Sequence, residues 1–386
     1  MKGFLPTMHR FRTYIYPLWM LSANLITRLG GMIILLLIGH HFAPDQLGAY
    51  FAAVATIGLA VTIAQAGCGL LLIRLYQANQ RRAAFALCSL RPTLAIAATA
   101  FVVIMTDIAP SPILLMPTVA ALAPDWIITA RGQLSKIALI AVLGQIAGIT
   151  VAFVAIVTQS NLALFAIAPA ISLASLIAGA LLALRDHASH PTAITKITHS
   201  QMINLIGFTL LAGSLPNLDF VLLGQNLPNT AHANLMLAQR IFLITAAIIA
   251  STSAALFAKK QAGLLRDIWL IAPPLAMTAI LLMLPETLAL LFYSTVNVNL
   301  VALLRTGAFW PVLLAMVSRQ ILISQETENQ FFPGWICLAL MVVTGVLLPA
   351  SPHETDAVII MQLRLSLCLL LIAICHRNPI LRNKPA

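Results

Sequence analysis

Charged side chains are scarce in this sequence. Asp, Glu, Lys and Arg make up only 9% of the 386 residues, and 60% of the residues are hydrophobic. An average globular chain is roughly 25% charged. A soluble fold of this size would need a polar shell that these residues cannot supply, so the composition excludes a soluble globular protein. Lipid can replace that shell. The chain is therefore predicted to be an integral membrane protein.

Signatures of bound metals and disulfides are missing as well. The His residues are scattered and no His-Glu-x-x-His pattern occurs, so the sequence predicts no metal and no cofactor. The cysteines are odd in number and all lie in or beside apolar segments, which argues against a disulfide framework. They are Cys68, Cys88, Cys337, Cys368 and Cys375.

Long apolar runs, by contrast, are abundant. About twelve segments of about 18 to 26 residues are long enough to cross a hydrocarbon core of about 30 Å at about 1.5 Å per residue. The runs are continuous rather than alternating, which favours helices over a barrel. Prolines punctuate the fourth segment, and Pro216 interrupts the seventh. The predicted segments are 17–41, 48–73, 83–106, 110–128, 136–158, 161–184, 203–224, 232–257, 267–291, 299–322, 331–349 and 356–375.

Basic residues are absent from every second loop. The loops after odd-numbered segments carry acidic residues such as Asp45 and Asp107 but no Lys or Arg. The bases outside the segments lie at the termini or in loops after even-numbered segments, such as Arg82 and Arg131. By the positive-inside rule both termini are predicted to be cytoplasmic. A net charge of +11 would suggest nucleic acid in a soluble protein, but this placement indicates loops that face anionic membrane lipid, and no nucleic-acid partner is predicted.

The chain is predicted to divide near residue 190 into two six-helix bundles, 1–190 and 191–386. The stretch 185–202 is the longest polar linker, and the segment that begins at Gly48 is weakly echoed by the one that begins at His232. Because each part has an even number of spans, both parts would enter the membrane from the same side, and the repeat would be parallel. The predicted fold is therefore an all-α polytopic membrane protein with two pseudo-symmetric six-helix bundles around a central cavity, a construction common in transporters.

Five arginines lie deep within the apolar segments. Each is about eight to twelve residues from the nearest segment end, or roughly 12–18 Å of helical rise. An arginine in lipid costs on the order of 2.5–3.5 kcal/mol on insertion scales, so we predict that they line a water-filled central cavity. Snorkelling toward an interface is the alternative for each. A cavity lined by guanidinium groups would attract an anion, and phosphate suits it well. The five are Arg28, Arg91, Arg240, Arg305 and Arg364.

Several short patterns give the chain a resemblance to a known family. Near the N-terminus the sequence reads Asn24-Leu-Ile-Thr-Arg28-Leu-Gly30, then Phe42-Ala-Pro44-Asp-Gln-Leu-Gly48-Ala-Tyr50. Later it reads Pro124-Asp-Trp126-Ile-Ile-Thr-Ala130, and Leu218-Asp219 precedes Ala238-Gln-Arg240. In order and spacing these resemble the Wzx-type oligosaccharide flippases of the multidrug/oligosaccharidyl-lipid/polysaccharide exporter superfamily. Gln65 stands where that family usually has Asp.

The resemblance implies a transporter rather than an enzyme. It would move undecaprenyl-diphosphate-linked oligosaccharide across the bacterial inner membrane by alternating access, for surface polysaccharide synthesis. The implied partners are this lipid-linked substrate, membrane lipid and a polysaccharide polymerase with its chain-length machinery. Asp219 and Glu286 are the candidates for cation coupling, because a carboxylate at membrane depth can titrate or hold an ion. The candidate polar lining of the sugar site, where bonding between helices is the alternative, consists of Asn24, Gln145, Asn204 and Asn217.

Two other functions remain open from the sequence. One is an integral-membrane polysaccharide polymerase or glycosyltransferase, although the predicted outer loops are short and carry no base and no Asp-x-Asp pair. The other is a multidrug exporter of the same superfamily. Cationic drugs would be repelled by a cavity lined with arginine, which ranks the exporter below the flippase.

Overall fold

The computed structural model describes residues 22, 26–27, 29–42, 44–65, 68–105, 111–185, 198–224, 227, 229–259, 264–290, 297–326, 333–347 and 353–377. Within these residues the regular structure is helical throughout. The helices are Leu29–Gly39 (span 1), Pro44–Ala64 and Gly69–Gln77 (span 2), Arg81–Met105 (span 3), Met116–Leu122 and Asp125–Ala130 after a 3-10 turn at Pro112–Leu115 (span 4), Leu134–Thr158 (span 5), Asn161–Arg185 (span 6), His199–Gly224 (span 7), Asn229–Lys259 (span 8), Leu264–Met283 and Pro285–Leu290 (span 9), Val298–Thr306 and Trp310–Glu326 (span 10), Pro333–Leu347 (span 11) and Glu354–Arg377 (span 12).

The helices follow the predicted segments in number and order. Across the described ranges, nine helical stretches are long and apolar enough to cross a membrane. Shorter apolar helices at Leu29–Gly39, Asn234–Ala250 and Gly334–Leu347 fall at the remaining three predicted positions, the first, eighth and eleventh. A helix therefore lies at each of the twelve predicted segment positions, as predicted.

Proline has different effects in spans 4 and 7. In span 4 the helix ends at Leu122, and a new helix begins at Asp125 immediately after Pro124. The predicted interruption of span 7 is wrong, because His199–Gly224 is one continuous helix with Pro216 inside it. Span 7 is well packed by its neighbours, and packing of this kind compensates for the backbone hydrogen bond that an internal proline removes.

Span 2 connects the first six spans with the last six. It packs against spans 7 and 8. At the crossing with span 7, the hydroxyl of Thr62 lies 3.5 Å from the carbonyl oxygen of Gly213. A Cβ at Gly213 would lie 2.9 Å from the Thr62 methyl group, so a larger residue would force the two helices apart. The small residue therefore sets the distance between spans 2 and 7.

Spans 7 and 11 cross in direct backbone contact. A Cβ at Gly334 would lie 2.7 Å from the backbone nitrogen of Phe208 and 2.9 Å from the carbonyl carbon of Gly207. The indole N–H of Trp335 donates to the carbonyl oxygen of Ile203 across the same crossing, at 3.0 Å. Small residues allow this close approach of helices in membranes.

Gly334→Ala is expected to destabilise the protein by about 1–3 kcal/mol, the usual range for overpacking a filled interface. Thermal unfolding in detergent measures the effect. Gly48→Ala is the matched control, because a Cβ there would meet no atom within 4 Å. If the two variants unfold at the same temperature, the crossing does not depend on the glycine.

Candidate functional site

Two cavities among the described residues bear on function, and the larger lies between the first six spans and the last six. Its volume is about 510 Å³, and its walls come from spans 2, 3 and 4 on one side and spans 7, 8 and 10 on the other. On spans 2, 4 and 8 its residues lie towards the helix ends that adjoin the basic loops. Its polar, uncharged lining includes Thr62, Gln65, Thr209, Asn217, Ser253 and Ser318.

Two oppositely charged side chains line the larger cavity. Arg91, in the middle of span 3, is only 3% exposed and donates from Nη2 to the carbonyl oxygen of Ala120 at 3.0 Å. Its Nε is buried and has no hydrogen-bond partner among the described residues. Asp125, the first residue of the last helix in span 4, is exposed to the cavity. Sequence reasoning missed Asp125, although it falls inside the predicted fourth segment and next to Trp126.

The smaller cavity is mainly aliphatic and contains one arginine. Its volume is about 190 Å³, and it lies among spans 1, 2, 6 and 8. The Arg240 guanidinium carbon lies 5.2 Å from the centroid of the Phe51 ring, at cation–π distance. Nη2 of Arg240 also lies 3.4 Å from the carbonyl oxygen of Phe51, while its Nε is buried without a hydrogen-bond partner in the described part of the chain. Arg240 thus connects span 8 with span 2.

The two cavities follow one another along spans 2 and 8. On span 2, Val54 lines the smaller cavity and Thr62 the larger one. On span 8, Arg240, Ile241 and Ile244 line the smaller cavity, and the larger one extends from Leu243 to Ser253. The smaller cavity is therefore farther from the basic loops.

The other two described members of the predicted five arginines are paired with carboxylates and line neither of these cavities. Arg364 in span 12 contacts Asp219 in span 7, with 2.8 Å between Nη2 and Oδ1, and both side chains are buried. Arg305 donates from Nη2 to Oε1 of Glu286 in span 9, and both side chains are about half exposed. The structure does not bring the predicted arginines together in one site, and it places both predicted coupling carboxylates beside arginines.

The described residues of the predicted sugar-site lining do not share one cavity either. Asn217 lines the larger cavity and accepts a hydrogen bond from Nε2 of Gln239 at 3.1 Å. Gln145 is buried in span 5 against span 1, where a Cβ at Gly30 would lie 2.4 Å from its Oε1. Asn204 is in span 7 and lines neither cavity. The two other predicted site residues, Arg28 and Asn24, lie outside the described residues.

The helices define a multi-pass membrane protein whose main cavity lies between two groups of spans. No protein-family model matches the chain, and no curated protein matches it. Solved structures do share the fold. The outward-facing conformation of a multidrug resistance MATE family transporter of the MOP superfamily has a TM-score of 0.63 at 14% identity, covering 95% of this chain and 96% of that one.

Other conformations and relatives match over similar lengths. An inward-facing conformation of a multidrug resistance MATE family transporter of the MOP superfamily has a TM-score of 0.52 at 13% identity, covering 93% of this chain and 99% of that one. A mutant of the Vibrio cholerae MATE transporter VcmN has a TM-score of 0.58 at 14% identity, covering 95% and 96%. At these identities the likeness is one of fold.

The chain therefore has the twelve-helix, two-bundle fold of MOP superfamily transporters. The predicted fold class is confirmed, and the predicted superfamily stays a prediction. The structures that share this fold are transporters and not enzymes. The flippase family within the superfamily, the cytoplasmic termini and the boundary near residue 190 stay predictions.

Proposed function

We propose that this protein is a flippase that moves undecaprenyl-diphosphate-linked oligosaccharide across the bacterial inner membrane by alternating access. The observation that carries the proposal is the cavity of about 510 Å³ between the two groups of spans, with Arg91 in its wall. Its position towards the basic loops suits loading from the cytoplasm, given the predicted orientation. The product would be used for surface polysaccharide, with a polysaccharide polymerase acting after it.

The charges suit an anionic head group. Arg91 and Arg240 each have a buried Nε–H without an acceptor among the described residues. A diphosphate supplies oxygens that accept such hydrogen bonds strongly, and a guanidinium binds them with fixed geometry. The larger cavity adds hydroxyl and amide groups for sugars, while the polyprenyl tail stays in lipid.

Movement of the two groups of spans against each other would change which side is open. Span 2 packs against spans 7 and 8 and approaches span 7 closely at Gly213. Solved structures of this fold exist in both outward-facing and inward-facing conformations. A substrate that binds the two states differently shifts their populations.

A second function, export of cationic drugs, has one observation in its favour. The carboxylate of Asp125 is exposed in the larger cavity, where it would attract a cation. The structural neighbours include transporters described as multidrug resistance proteins. Arg91 in the same cavity wall opposes a cationic substrate and keeps the flippase as the better proposal.

Reconstituted vesicles distinguish the two functions. The expected result is that purified protein transfers a fluorescent oligosaccharide-diphosphate-prenol between leaflets and does not transport the cationic dye ethidium. In cells, deletion is expected to abolish surface polysaccharide and to accumulate lipid-linked repeat units on the cytoplasmic side. Dye transport without lipid transfer would replace the flippase with the drug exporter.

A further inference from the structure

The guanidinium of Arg364 is surrounded by oxygen atoms from two other spans. Its Nε donates to Oδ1 of Asp219 at 3.1 Å, and its Nη1 donates to the hydroxyl oxygen of Thr344 at 2.8 Å. Its Nη2 lies 2.8 Å from Oδ1 of Asp219 and also donates to the carbonyl oxygen of Met341. A carboxylate, a hydroxyl and a main-chain carbonyl therefore converge on one positive group in the interior of spans 7, 11 and 12.

The oxygen atoms around the Arg364 guanidinium are oriented to accept hydrogen bonds from it. The hydroxyl of Thr344 donates its own proton to the carbonyl oxygen of Leu340 at 2.7 Å, so its oxygen lone pairs face Arg364. The Asp219 side chain is 2% exposed and that of Arg364 is 4% exposed. Oxygen ligands of this kind are the ones that hard cations prefer.

The backbone leaves space for the guanidinium. A Cβ at Gly345 would lie 3.0 Å from Nη2 and 3.1 Å from Nη1 of Arg364, and 2.5 Å from Cδ1 of Leu222 in span 7. A residue with a side chain at this position would therefore push the guanidinium away from its acceptors. The fit depends on backbone and side chains of three spans.

We propose that Asp219, Thr344 and the carbonyl of Met341 form a cation site whose permanent occupant is the Arg364 guanidinium. The chain supplies its own cation here, so Asp219 does not exchange a coupling ion with solvent. A buried carboxylate without a counter-charge is costly, and the emptied site therefore takes a free monovalent cation such as guanidinium or Na⁺. This inference does not depend on the substrate of the transporter.

Chemical rescue of Arg364→Ala tests the proposal. The purified variant is unfolded thermally in detergent with choline as the only added cation, and millimolar guanidinium or Na⁺ is then titrated in. A ligand that binds only the folded state raises the unfolding temperature, so we expect a rise of a few degrees for the variant. The unmodified protein is expected to show no rise, because its site is filled. A variant that unfolds at the same temperature in every salt overturns the proposal.

Two control variants test whether the cation response is specific to the buried Asp219 carboxylate. Arg319→Ala breaks a second ion pair, in which Nε of Arg319 lies 2.7 Å from Oδ1 of Asp267. Both of these side chains are more than a quarter exposed, and Nε of Arg266 lies 3.5 Å from the same carboxylate oxygen, so water and Arg266 compensate the remaining charge and no cation response is expected. Asp219→Asn combined with Arg364→Ala removes the negative charge and is expected to abolish the response. An equal response in this double variant also overturns the proposal.

A second variant covers the case in which Arg364→Ala does not accumulate. Arg364→Gln removes the charge but keeps a polar amide that ends near the position of the Arg364 Nε, so it leaves the same uncompensated carboxylate in a better-filled site. Its unfolding temperature is expected to rise with Na⁺ or guanidinium in the same way. The absence of a rise contradicts the proposal as directly as it does for alanine.

Discussion

Replacing both Arg91 and Arg240 with alanine is expected to slow transfer of the lipid-linked oligosaccharide by about a hundredfold to ten-thousandfold. On the proposed function, each substitution removes a charge-assisted hydrogen bond to the diphosphate, worth about 1.5–3 kcal/mol, and about 1.4 kcal/mol corresponds to a factor of ten. The effect is large because each arginine lines a cavity, and neither forms an ion pair in the described contacts. The initial rate of leaflet transfer in vesicles, normalised to inserted protein, is the measurement.

The controls separate binding from folding. Arg319→Ala removes an arginine that is paired with Asp267 and lines neither cavity, and its transfer rate is expected to stay near that of the unmodified protein. Lysine at positions 91 and 240 keeps the charge without the planar fork, so an intermediate rate is expected. Unfolding temperatures of all variants show whether Arg91 also stabilises the fold through its hydrogen bond to the carbonyl oxygen of Ala120. A normal rate for the double alanine variant would remove the arginines from the transport path.

Asp219→Asn is expected to destabilise the protein by about 3–5 kcal/mol, because it leaves the buried guanidinium of Arg364 without its counter-charge. Adding Arg364→Gln should recover most of the loss, since a neutral pair carries no desolvation cost of charge. The two side chains are in direct contact, so their effects are expected to be far from additive. Chemical or thermal unfolding of the single and double variants forms the mutant cycle.

The exposed ion pair between Glu286 and Arg305 is the comparison for the mutant cycle of Asp219 and Arg364. Glu286 and Arg305 are about half exposed, so Glu286→Gln is expected to change stability by roughly 0–1 kcal/mol. Equal losses for Asp219→Asn and Glu286→Gln would mean that burial does not decide the strength of these pairs. A double variant as unstable as Asp219→Asn alone would show that the network acts through shape and not through charge.

The helical framework could be predicted from the sequence because its signal is local. Each span is recognisable from one run of about 20 apolar residues, whatever the rest of the chain does. The break in span 4 could also be predicted, since Pro124 ends one helix and precedes another. The continuity of span 7 through Pro216 could not, because it depends on neighbouring spans that sequence spacing does not identify.

The arginine site could be predicted only in part. Depth in the membrane follows from counting residues, but the partner of a buried charge can lie far along the chain. Arg364 and Asp219 are 145 residues apart, and no local pattern links them. Arg305 and Glu286 are separated by 19 residues and a helix break, which also hides their pairing. Arg91 and Arg240 line cavity walls, and their role in binding substrate stays a prediction.

The stacking of the two cavities along spans 2 and 8 has an electrical consequence. With water in both cavities, the transmembrane voltage would fall mainly across the layer of packed side chains that remains. Each elementary charge that crosses it gains or loses about 2.3 kcal/mol per 100 mV. A pyrophosphate that leaves a negative cell interior would move in the favoured direction. The resting potential alone would then bias the cycle towards export.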